Sequence, residues 1–161
     1  KMILKILTYN YLIGVAVISW VAAQLLKTFL FYARNKKMDF RRLSGSGGMP
    51  SAHSALVSSV AVGAAQEYGI SSPYFSLAFT VAVIVLYDAM GVRRAAGRQA
   101  KAINSIQGYL KKNESKLPYD DKFFKAATNT LNESLGHKPC EVLAGVALGT
   151  GVAAISSIWL H

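Results

Sequence analysis

Residues 74–92 read YFSLAFTVAVIVLYDAMGV, with no charge before Asp88. A helix rises about 1.5 Å per residue, so roughly 20 such residues cross the hydrocarbon core of a bilayer. The stretch is predicted to be a membrane-spanning helix, and it sets lipid as the solvent against which the rest of the chain is read.

Working outward, residues 9–33 form another long apolar run, from Tyr9 through Trp20 to Tyr32, in which Lys27 is the one charge. Lys27 lies towards the C-terminal end, where its stem is expected to carry the ammonium to the headgroups. A cleaved signal peptide is the competing reading, but the n-region is short and the apolar part too long. Residues 141–160 (EVLAGVALGTGVAAISSIWL) form the last such run. Residues 50–68 are small and only modestly apolar. Pro50 suits a first helical position, where no N–H is needed. Residues such as Ala55, Val60 and Ala64 suit close packing inside a bundle. The expected fold is therefore all-α: an integral membrane helical bundle of about four transmembrane helices, one domain over residues 1–161. The basic segment 93–138 is expected to add an amphipathic helix from about Arg93 to Leu110, a break around Pro118, and a second helix from about Asp120 to Leu135. No internal repeat, low-complexity tail or domain linker is visible.

Composition agrees with a membrane setting. Charged residues make up 16% and apolar ones 52%, whereas soluble domains carry about 25% charge. The single cysteine, Cys140, excludes an internal disulfide, and His53, His137 and His161 are too scattered to suggest zinc. No metal or cofactor is expected. The net charge of +10 suits nucleic acid, anionic lipid or phosphorylated substrates. Nucleic acid accounts for the charge and leaves the apolar runs unexplained, so it is set aside.

The basic residues are segregated. Arg34, Lys36, Lys37, Arg41 and Arg42 follow the first run; Arg93, Arg94, Arg98, Lys101, Lys111 and Lys112 follow the third; the turn at 69–73 has none. The positive-inside rule then puts both basic segments in the cytoplasm, in a multi-pass protein of the plasma membrane with both termini on the other side.

Three segments hold the unusual polar residues. Gly45-Ser46-Gly47-Gly48-Met49-Pro50-Ser51-Ala52-His53-Ser54 is a glycine-rich lead into a helix, a place where free backbone N–H groups bind anions, or simply a loop. Asp88 with Arg93 and Arg94 puts an acid at the end of an apolar span, where it is costly unless paired, beside guanidinium groups suited to phosphate or to headgroup anchoring. His137 and Glu141 stand four apart, so on one helical turn the carboxylate holds one ring nitrogen and leaves the other free; an incidental histidine at a helix start is the bland alternative. The expected topology puts all three at one membrane face.

Pro50-Ser51-Ala52-His53-Ser54 resembles the Pro-Ser-Gly-His motif of the type 2 phosphatidic acid phosphatases and vanadium haloperoxidases. The run from His137 to Gly145 resembles the stretch where the nucleophilic histidine of that superfamily precedes an aspartate by four. The whole chain looks like the small divergent branch found in bacteria and plastids. The resemblance implies a metal-independent phosphatase acting on a lipid or prenyl phosphate, with His137 as nucleophile, Glu141 orienting it, and His53 as acid and base. Ser51, Ala52, Gly48, Asp88, Arg93, Arg94 and Arg42 would bind the substrate. The chain departs from the pattern in several places. Ala52 replaces a glycine and Glu141 an aspartate, and Leu131 stands where a Ser-Arg pair belongs. For the first motif, a Lys followed by Arg-Pro, only Lys36, Arg41 and Arg42 present themselves. A non-catalytic phosphate or anionic-lipid binding protein, or a lipid transporter with a degenerate site, is the alternative. A homo-oligomer is left open.

Overall fold

A computed structural model of the protein describes residues 10–36, 48–112, 130–131, 133 and 135–160. Among them the chain is all-helical: α1 (Tyr11–Asn35), α2 (Ala52–Tyr68), α3 (Pro73–Met90), α4 (Val92–Lys112) and α5 (Pro139–Leu160). The expected helix at 120–135 lies outside the described residues. Three stretches are long and apolar enough to cross a membrane, in α1, in α3 with its continuation, and in α5. The protein is a membrane helical bundle.

Local chemistry fixes the helix ends. Asn10 and Ser72 cap α1 and α3 by accepting the N–H of Ile13 and Phe75, and Pro73 opens α3. The start of α2 corrects the sequence expectation. Ser51 is the cap, with its hydroxyl accepting the N–H of Ser54, so Pro50 lies outside the helix and Ala52 is its first residue. A side-chain acceptor for an orphan donor outweighs proline's tolerance of that position.

α2 is the hub, packed against α1, α3 and α5. Lipid tails are as apolar as the side chains, so nothing comparable to hydrophobic collapse draws helices together within the bilayer; close van der Waals packing must do it. Gly145, Gly149 and Ala153 recur every fourth residue on α5 and are buried. A Cβ at Gly149 would overlap the carbonyl of Ala55, and one at Gly145 the carbonyl of Ser51. From the other side Ser19 of α1 donates its hydroxyl to the carbonyl of Ala55 at 3.1 Å. Three helices therefore meet around Ala55, which is fully buried. We expect Gly149→Ala to destabilise the bundle by about 1–3 kcal/mol, the usual cost of overpacking. Gly151→Ala, where an added Cβ meets nothing within 4 Å, should not. Thermal unfolding of both variants in detergent checks this.

Candidate functional site

The starts of α2 and α5 are stitched side by side, since the N–H of Ser51 donates to the carbonyl of Glu141 at 2.9 Å. The end of α3 joins them: the N–H of His137 donates to the carbonyl of Ala89 at 3.0 Å. Three helix ends from distant parts of the sequence thus meet at one place.

His137 is buried there, and its Nδ1 lies 3.0 Å from Oε2 of Glu141. A carboxylate only accepts, so Nδ1 is the nitrogen that carries the proton in this contact, and in the neutral form of the ring Nε2 is the one with the lone pair. The same Oε2 accepts the N–H of Lys138 at 3.1 Å. Lys138 precedes the first turn of α5 and Glu141 closes it, as in one half of a capping box. Glu141 therefore starts the helix and sets the imidazole with one oxygen.

The chain leading to His137 is strapped to α4. The side-chain amide of Asn104 donates to the carbonyl of Leu131 at 2.9 Å and accepts the N–H of the same residue at 2.9 Å. It also donates to Glu133 at 2.8 Å. Further along, Gly97 has no room for a Cβ beside the carbonyl of Leu135. Gly136, at φ +82°, lies against the backbone of Arg94. Only glycine meets both demands at Gly136, the positive φ and the close approach.

His53 is exposed on the first turn of α2, within electrostatic range of Arg93, His137 and Lys27. Ser51 is buried, and its hydroxyl accepts both the N–H and the hydroxyl of Ser54. Ala52 is buried beside it. Of the two candidate arginines, Arg93 takes Asp88, its Nε donating to Oδ2. Arg94 is exposed and contributes its backbone to the Gly136 contact. Arg42 lies outside the described residues.

Two cations were missed by sequence reasoning. Lys27 is not stretched towards the headgroups; it is buried at 4% exposure. It continues the buried stripe Val15, Ser19, Ala23 of α1, and spacing by four is the signal that could have revealed its inward direction. Together with Arg34, one heptad further on, it lines a cleft of about 1000 Å³ bounded also by Gly48, Met49, Lys138 and Glu141. Among the described residues, Lys27 and Arg34 are the upstream cations that share this cleft with Glu141. Leu30 and Phe31 give the cleft an apolar wall. No cluster of metal-ligating side chains occurs among the described residues.

Comparison with known proteins bears on the same residues. The family model described as the divergent PAP2 family matches residues 8–152. The chain is 37% identical over 131 residues to the uncharacterized membrane protein YuiD of Bacillus subtilis (strain 168), covering 80% of this chain and 82% of that one. No solved structure matches it.

Proposed function

The chain belongs to the divergent PAP2 family, and from that premise we propose that it is a membrane phosphatase for a phosphomonoester or pyrophosphate of a lipid or prenyl carrier, working at the cytoplasmic face. The observation that carries this reading is the buried His137 held through Nδ1 by Glu141. Its Nε2 attacks phosphorus in line as the bond to the leaving oxygen breaks, and His53 gives that oxygen a proton. In the second step His53 takes a proton from water, the resulting hydroxide attacks the phosphohistidine, and the P–N bond returns its electrons to Nε2. Lys27, Arg34 and Arg93 are the cations at hand for the phosphoryl oxygens, with the N–H groups opening α2.

The apolar wall of the cleft supports a substrate with a hydrocarbon tail. The expected result is that His53→Ala lowers phosphate release from mixed lipid phosphates by roughly a hundredfold or more, the usual worth of a positioned acid and base. Release unchanged in both His53→Ala and His137→Ala would remove the enzyme reading. In that case the protein binds anionic lipid phosphate without turnover. Leu131 favours this second reading, because the position where a Ser-Arg pair belongs is occupied by a backbone strap to Asn104.

A further inference from the structure

Among the described helices, α4 has the most strongly two-sided surface. This helix carries Arg93, Arg94, Arg98, Lys101, Lys111 and Lys112 and no acidic residue. One side, at Gly97 and Asn104, is taken by the segment 131–136. Another holds Val92, Ile103 and Ile106, exposed at 65%, 44% and 59%. Their spacings of eleven and three put them on one edge of the helix. Arg94, Arg98 and Lys101, spaced by four and three, lie on the opposite side.

Position decides what covers the apolar edge. α4 begins one residue after α3, whose outer side chains such as Leu77 and Ile84 are exposed over a stretch apolar enough for lipid. Gly91, at φ −95° and ψ −92°, breaks the helix between them. The amphipathic helix therefore starts where the lipid-facing surface of α3 ends. A second copy laid on the same edge would set two helices of like net charge side by side, because α4 has no acid to answer its bases. An anionic membrane surface answers both sides at once, with acyl chains for the apolar edge and a negative surface potential that attracts the bases on the water-facing side.

We propose that α4 lies along an anionic leaflet, its Val92–Ile103–Ile106 edge sunk between headgroups, and so moors the strap that leads to His137 to the membrane surface. The inference is independent of the phosphatase reading, since it concerns where α4 lies and not what His137 does.

The test uses the whole protein in nanodiscs of phosphatidylcholine, with and without phosphatidylglycerol. A polarity-sensitive fluorophore is placed at Ile106→Cys, or as a second reporter at Ile103→Cys, in a Cys140→Ser background. Both positions are exposed, so neither substitution opens a buried cavity. The expected result is a blue-shifted emission in the anionic discs that is lost in pure phosphatidylcholine, and lost again in Arg98→Glu/Lys101→Glu. A label at Lys101→Cys stays water-like throughout. Equal emission from Ile106→Cys in both lipids, or a blue shift that survives the double substitution, would overturn the proposal. A blue shift that grows with protein concentration would overturn it too, by assigning the edge to a second copy.

Discussion

Replacing His137 with alanine is expected to lower phosphate release by at least roughly a thousandfold, because the nitrogen that attacks phosphorus is gone. The backbone bond from residue 137 to Ala89 survives the substitution, and Glu141 keeps the N–H of Lys138. The bundle should therefore persist. Glu141→Gln separates the two duties of that side chain. Its amide oxygen can still accept from Lys138 and cap α5, but the charge that favours the developing imidazolium is gone. A loss of roughly a hundredfold is expected, with little change in unfolding temperature. Steady-state release, together with trapping of an acid-labile phosphoryl group on the wild type alone, checks both statements. A His137→Ala protein with wild-type turnover would dispose of the nucleophile assignment.

Lys27→Met is expected to have the next largest effect, and in an unusual combination. Methionine matches the length and apolar stem of lysine, so the substitution leaves no cavity at this buried position and the fold should persist. Activity should not. A cation aimed at developing charge on phosphoryl oxygens is worth about a hundred- to a thousandfold. The expected outcome is a folded protein with kcat/KM reduced by about two orders of magnitude or more, and partial recovery in Lys27→Arg. Measuring both on one preparation tells a substrate cation from a structural one. Full activity in Lys27→Met would leave Lys27 a merely structural role.

Much of the scaffold was legible because lipid imposes a crude code. The run at 74–92 became α3 at Pro73–Met90, and 141–160 became α5 at Pro139–Leu160, since long apolar stretches with polar bounds leave few options. The pair His137 and Glu141 was legible because spacing by four is short-range geometry. Lys27 was misread because hydropathy weighs one charge near a helix end as a snorkelling anchor, whereas Val15, Ser19 and Ala23 had already fixed the direction of that face. Pro50 was misread because two start signals lay side by side and the serine won. The strap between Asn104 and Leu131 was beyond reach: it joins residues 27 positions apart through one side-chain amide, and no local pattern announces such a contact.

The central placement of α2 has a consequence for how the protein is made. Of the described helices, synthesis delivers α1 before α2, and α5 only after both. The buried side of α2 carries Ser54, Ser58 and Ser59, hydroxyls that gain little from contact with acyl chains. Until Gly145 and Gly149 arrive to cover that side, the nascent α2 is a poor candidate for release into lipid by itself. The translocation machinery must hold it, or α1 must shelter it, until α5 has been translated.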